Sequence, residues 1–248
     1  MNNLPFSWYN LFMQQYFVDV NVKPQDIICL DDDILYHLIK VLRKDNTYIF
    51  RIADASKNIY YANLISNKEC KINECTNENN ELDCDITCIL SLIKNDKFEL
   101  TLQKLVELGV KRIVPYKSVR SVVKVKDNKK IDRLKKIVKE AAEQSHRNII
   151  PEVCEFADLK DLEKYKSELN YICYESEKNI TDISKSKSIT YIIGPEGGFE
   201  DNEYKKICDL GFESISLGKR ILRAETAAIY MTSIIVGKNQ WKVMPWWF

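Results

Sequence analysis

From Ile86 onward, short apolar runs alternate with stretches of helical spacing, and this alternation restricts the fold more than any other feature of the chain. Residues 86–93, 112–115, 171–174, 190–193 and 214–217 are strand-length runs rich in β-branched and aromatic side chains. Phe98, Leu102, Leu105 and Val106 recur at helical spacing, with Gly109 where a C′ residue belongs. Ile131, Leu134, Ile137, Val138 and Ala141 form the apolar stripe of an amphipathic helix, and residues 200–210 and 224–236 read as two more helices. Strands alternating with helices predict an α/β fold with a mainly parallel sheet and helices on both faces. Ligands of such folds bind at the carboxyl ends of strands.

The N-terminal third reads differently. Residues 16–20, 47–52 and 60–65 are short β segments separated by polar turns. Asp31, Asp32 and Asp33 precede Ile34, Leu35, Leu38, Ile39 and Leu42, which is helical spacing behind an acidic N-cap region. A small barrel with one helix is expected over residues 1–70, with 1–12 as an extension. Residues 66–83 are polar and Asn/Glu-rich, with room for a short further strand among them; 71–83 is the candidate linker, and 84–248 is the α/β domain.

Composition narrows the function classes. At 248 residues, 45% hydrophobic and 29% charged, the chain has enough material for one or two packed cores. No apolar run approaches the ~20 residues of a membrane span, and no cationic segment of a secretion signal precedes Leu4, so a cytoplasmic protein is expected. The net charge of +1 does not announce a nucleic-acid binder. Yet residues 117–139 hold ten Lys/Arg against two acids, a local excess that steers polyanions, while residues 69–85 hold six acids and one Lys. The bland reading of the basic stretch is a solvated helix face. Of the eight cysteines, 70, 75, 84 and 88 lack CxxC spacing and a neighbouring histidine, so no metal site is expected; Cys84 and Cys88 read as small buried hydrophobes on one strand face.

Only seven glycines occur, and six lie in the last 55 residues. Gly211 and Gly237 follow predicted helices and read as caps. Gly194, Gly197 and Gly198 fall in the loop after the strand ending at Ile193, and Gly218 follows the strand ending at Leu217. Glycine lets a ligand approach the main chain directly. The first loop lacks GxGxxG and the P-loop Gly-Lys-Ser/Thr, and Glu196 in its middle would repel a phosphate. The second, Gly218 to Ala224, sets Arg220 and Arg223 on either side of the apolar pair Ile221 and Leu222. Two such loops at adjacent strand ends predict one site. A third segment closes the basic helix: Glu143, Gln144 and Arg147 share a helix face by i, i+4 spacing, and His146 reads as a surface residue.

Taken together, EAAEQSHR (140–147), IGPEGGFEDNE (193–203) and LGKRILRAETA (217–227) resemble the motifs of the bacterial 16S rRNA uridine-N3 methyltransferase family of the SPOUT, or trefoil-knot, superfamily. Tyr16-Phe17-Val18-Asp19 and the segment from His37 to Arg43 are similar to its N-terminal RNA-binding region. Gln15 departs from the pattern, which commonly has Arg there. The resemblance implies a PUA-like N-terminal β-barrel, a C-terminal SPOUT α/β trefoil-knot domain, a homodimer, and S-adenosylmethionine as methyl donor, with S-adenosylhomocysteine as product. It implies that the cofactor lies against Gly194, Pro195, Glu196 and Gly197 and against Leu217, Gly218, Ile221 and Leu222, with Ala227 nearby.

The partner implied is 16S rRNA of the small ribosomal subunit, and the reaction is methyl transfer to N3 of an unpaired uracil. This needs a base or a cation that stabilises the uracil anion. Glu143, Glu196 and Glu225 are the candidate bases, Arg147 and Arg223 the candidate anion stabilisers, and Glu196 has a second reading as the residue that orients its loop. Arg43, Lys104, Arg120 and Lys124 are the candidate RNA-phosphate contacts. The alternatives are a SPOUT enzyme with another RNA target, a non-catalytic RNA-binding protein of the same fold, and an oxidoreductase, against which the missing GxGxxG argues.

Overall fold

The computed structural model describes residues 13–123, 129–177 and 183–239. The chain forms two compact units. One takes the residues up to Glu81 together with Glu143–Ile149; the other takes Leu82–Ala142 and the residues from Ile150 onward.

The first unit is built on a five-stranded mixed sheet in the order β1-β3-β4-β5-β2. Its strands are β1 (Gln15–Phe17), β2 (Ile27–Cys29), β3 (Ile49–Ala53), β4 (Ile59–Leu64) and β5 (Glu69–Cys75). β1 runs parallel to β3, and the remaining pairs are antiparallel. A short helix, α1 (Asp32–Leu35), continues as a π-helical stretch over Tyr36–Val41. Leu38 from this stretch packs with Phe50, Ile52, Ala62 and Ile72 in the core. The stretch expected as a linker from residue 71 is in part strand: β5 pairs with both β4 and β2. Cys70 and Ile72 alternate inward from β5 while its polar residues face outward, so a half-buried strand hides in a polar composition.

Buried charges fix which segments of this unit meet. Arg51 and Arg147 are 2% and 3% exposed. Gln15, also buried, bridges them: its amide donates to the Arg147 carbonyl at 2.7 Å, and its side-chain oxygen accepts from Arg51 Nε at 3.1 Å. Arg51 pairs with Glu78, and Arg147 with Glu81. Glu81 also accepts the N–H groups of Asn148 and Ile149 at 2.9 and 3.3 Å. Part of the acidic run in the sequence thus supplies counter-charges to buried arginines. The expected helix face of Glu143, Gln144 and Arg147 does not form, because the helix stops at Gln144 and His146 turns left-handed at φ +56°. His146 is half-buried rather than a surface residue; its ring nitrogen lies 2.9 Å from the Met13 carbonyl, and burial holds its pKa below the usual value.

The second unit carries a six-stranded, all-parallel sheet in the order β11-β9-β10-β6-β7-β8. Its strands are β6 (Asp85–Ser91), β7 (Arg112–Tyr116), β8 (Glu152–Val153), β9 (Leu169–Cys173), β10 (Ser188–Ile193) and β11 (Glu213–Ile215). Its helices are α2 (Asn95–Glu107), α3 (Lys129–Gln144), α4 (Asp201–Asp209) and α5 (Ala224–Asn239), with a 3₁₀ turn at Leu159–Tyr165. β6 and β10 are buried on both faces, which is why they read as continuous apolar runs. Gly109 and Gly211 follow α2 and α4 with positive φ, as caps do, whereas Gly237 lies inside α5 and is no cap.

Replacing Glu81 by Ala removes the carboxylate that pairs with buried Arg147 and accepts two backbone N–H groups. It is expected to destabilise the first unit by about 2–3 kcal/mol, below the ~3–5 kcal/mol of a fully buried broken pair because Glu81 keeps some solvent contact. Chemical denaturation of wild type and variant checks this.

Candidate active site

The direction of the parallel sheet sends the loops after β9, β10 and β11 out of the same edge. They enclose a cleft of about 620 Å³, open mouth included. Gly194, Pro195, Leu217, Gly218, Ile221, Leu222 and Ala227 line it, all of them expected from the sequence. Glu196 and Gly197 belong to the same loop and are exposed. The strand ends after β10 and β11 are not adjacent, as the sequence had suggested: β9 runs between them. It contributes Cys173, Tyr174 and Glu175 to the cleft, residues that sequence reasoning missed. The loop after β9 contains no glycine, so nothing in the sequence set it beside the other two.

The first loop is shaped by close approaches. Ile193 ends the buried strand, and the Gly198 N–H donates to the Pro195 carbonyl at 2.9 Å to close a tight turn. A Cβ on Gly194 would meet the Phe199 ring at 2.9 Å. Gly198 has φ +66°, and a Cβ there would come within 2.3 Å of Glu175 Oε1. Glu196 accepts the Lys94 N–H at 3.3 Å, which ties the loop to the start of α2. The second loop leaves β11, turns at Gly218 (φ +113°), and exposes Ile221 almost fully at 86%. Ala224, Ala227 and Ala228 open α5 with small side chains, so the helix start lies close to the loops.

The cleft is thus walled by main chain and apolar groups, with Lys219 and Arg220 as the cations and Glu175 as the acid among its lining residues. Arg223 is exposed at the N-cap of α5, where its carbonyl accepts the Ala227 N–H at 2.8 Å. Glu225, two residues further on, faces α2, with Lys97 Nζ 3.3 Å from Oε1.

The other sequence candidates are distributed over both units. Arg147 and Glu143 belong to the first. Arg147 is buried against Glu81, and Glu143 lies 3.4 Å from the Phe17 N–H. Of the RNA-contact candidates, Arg43 is exposed just after the π-helical stretch with φ +53°. Lys104 is engaged by Glu107 of its own helix at 2.8 Å. Arg120 is exposed and donates to the Gly197 carbonyl at 3.2 Å. Lys124 lies outside the described residues.

A cleft at the carboxyl edge of a parallel sheet, floored by apolar strand ends and bounded by glycine loops, is where α/β domains take small ligands. Residues 80–236 match the model of the RNA methyltransferase domain family. The chain is 36% identical over 225 residues to ribosomal RNA small subunit methyltransferase E of Mesomycoplasma hyopneumoniae, covering 88% of this chain and 97% of the relative. It is 31% identical over 245 residues to the protein of the same name from Bacillus subtilis, covering 90% and 96%. Among solved structures, the Neisseria gonorrhoeae ribosomal RNA small subunit methyltransferase E bound to S-adenosyl methionine superposes with a TM-score of 0.84 at 30% identity, over 90% of this chain and 97% of that one. A putative methyltransferase from Legionella pneumophila, in complex with bound cofactor SAM, gives 0.85 at 27%, over 91% and 97%. The chain belongs to this RNA methyltransferase family.

Two glycines of the first loop separate experimentally. Gly198→Ala forces a side chain into a left-handed residue and against Glu175, and is expected to cost about 1 kcal/mol or more. Gly197→Ala meets nothing nearer than Arg120 Cβ at 3.6 Å and should stay close to wild type. Denaturant midpoints of the two variants test the contrast.

Proposed function

We infer that this protein transfers the methyl group of S-adenosylmethionine to N3 of a uridine in 16S rRNA of the small ribosomal subunit. The observation that carries the reading is the main-chain cleft after β9, β10 and β11, in a chain of the RNA methyltransferase family. The donor set suits this ligand. An adenosine carrying a sulfonium and no phosphate needs apolar walls and backbone donors and acceptors rather than a phosphate cradle. Glu175 at the cleft and the exposed Glu196, which would repel a phosphate, tolerate a cation. When bound, the cofactor supplies an electrophilic methyl group on sulfur.

The protein's own part is to orient the uracil and to manage the N3 proton. Arg223, exposed beside the cleft loop, is the candidate that stabilises the uracil anion. The buried pair with Glu81 supports a structural role for Arg147 instead, and the Phe17 N–H contact does the same for Glu143. The bond from Lys94 supports Glu196 as the residue that orients its loop. Arg43 and Arg120, both exposed, are the best placed of the RNA-backbone candidates, whereas Lys104 is partly neutralised by Glu107.

The finer fold follows the same reading. A trefoil knot is supported by the path after β11: the chain leaves the edge strand, forms the cleft loop, and α5 then packs on β10, β6 and α2. The five-stranded sheet is compatible with a PUA-like RNA-binding unit. A homodimer in the cytoplasm is the expected working form. α2 and α5, packed against each other, leave Leu100 and Tyr230 47% and 46% exposed. No helix among the described residues is long and apolar enough to cross a membrane.

The test is labelled-methyl transfer from S-adenosylmethionine to 30S subunits and to naked 16S RNA, with mapping of the modified base. Label at N3 of one uridine is expected. Cofactor binding without label at that position would favour another RNA target, and absence of cofactor binding would favour a non-catalytic RNA-binding protein. Arg223→Ala should lower turnover more than cofactor affinity; unchanged transfer would remove Arg223 from the chemistry.

A further inference from the structure

Glu203 is 2% exposed, although it lies in the first turn of α4, a position that is ordinarily solvated. One of its tasks is local: with Glu200 it forms a capping box, accepting the Glu200 N–H at 3.4 Å. A capping box needs neither burial nor further donors. Here the same carboxylate also accepts the Tyr116 hydroxyl at 2.6 Å, the Ser118 hydroxyl at 3.0 Å and the Val119 N–H at 3.2 Å. Burial and this bond raise the Tyr116 pKa, so its hydroxyl stays a donor. These three donors come from the end of β7 and the segment that follows it, far from α4 in sequence. Two residues beyond Ser118, Arg120 donates to the Gly197 carbonyl at 3.2 Å and lies against Gly197. The segment after β7 is therefore tied at two points, to α4 through Glu203 and to the glycine loop through Arg120.

We propose that Glu203 is a positioning residue: it locks the Ser118–Val119 segment to the start of α4, so that Arg120 is held at a set place beside the cleft for contact with the RNA backbone. The proposal rests on the rRNA reading for what Arg120 meets, but not for the lock itself. A guanidinium has five N–H donors, so the bond to Gly197 leaves others for a phosphate. Glu203 acts only through Arg120 and touches no reacting atom.

Ser118→Ala and Tyr116→Phe each remove one of the three far-side donors while leaving the α4 capping box intact, which guards against the misfolding that Glu203→Ala invites. Each should raise the 30S concentration needed for half-maximal methyl transfer by about three- to ten-fold, the effect of losing one hydrogen bond, with S-adenosylmethionine affinity unchanged. In an Arg120→Ala background, Ser118→Ala should add nothing further. Independent, multiplying effects of the two substitutions, or an unchanged 30S requirement, would overturn the proposal. Hydrogen exchange over residues 117–123 separates the two readings. Faster exchange in Ser118→Ala, in a protein that never methylates 30S subunits, would leave the lock standing and reject the rRNA reading. Unchanged exchange would reject the lock.

Discussion

Every ligand-facing part of the second unit depends on one constraint: six strands that all run the same way. A parallel strand cannot be joined to its neighbour by a hairpin, so each returns through a helix or a long connection, and all carboxyl ends emerge on one edge. β10 is the central element of this arrangement, paired to β9 on one side and β6 on the other and buried along almost its whole length. Tyr191 in its middle is fully buried, and its hydroxyl lies 2.6 Å from the Thr232 hydroxyl of α5. That contact sets α5 on β10, and with it the alanines that close the cleft. The glycine loop after Ile193 is thus held from below by a rigid strand and from the side by a helix attached to that strand.

Buried charges serve different ends in the two units. In the first, Arg51 and Arg147 are neutralised by Glu78 and Glu81 and bridged by Gln15, which joins β1, β3 and the segment after α3. Such pairs contribute little net stability compared with apolar replacements, but breaking one side is costly, so they fix which segments meet. In the second, Glu203 is satisfied by hydroxyl and backbone donors instead. A carboxylate held this way depends on several loops being in place at once.

How much of this was legible in the sequence followed from where polarity and periodicity agree. β6, β10 and α2 were readable because their burial patterns match their hydrophobic patterns. β5 was legible only as a short strand somewhere in a polar stretch, because its outward residues are polar and its inward ones include a cysteine. β2 and β8, three and two residues long, are shorter than any reliable pattern. The glycine loops revealed most of the cleft, since glycine marks backbone approach. They could not reveal Tyr174 and Glu175, whose place comes from strand order rather than from local chemistry. Arg147 misled for a related reason: helical spacing put it on a face with Glu143, but a left-handed residue at His146 ends that geometry one position earlier.

The uneven use of glycine then has a physical reading. A site that recognises a phosphate can draw on helix dipoles and lysines, and its loop can keep some side chains. A site for an adenosine bearing a sulfonium gains little from added positive charge, so its specificity must come from shape and from backbone groups at fixed positions. That requires residues without Cβ where the walls approach most closely, as at Gly194 beside Phe199 and at Gly198 beside Glu175. Elsewhere the chain has little need of glycine and uses it almost only after helices. The cations near the cleft, Arg120, Lys219, Arg220 and Arg223, all face solvent, where a polyanion can reach them.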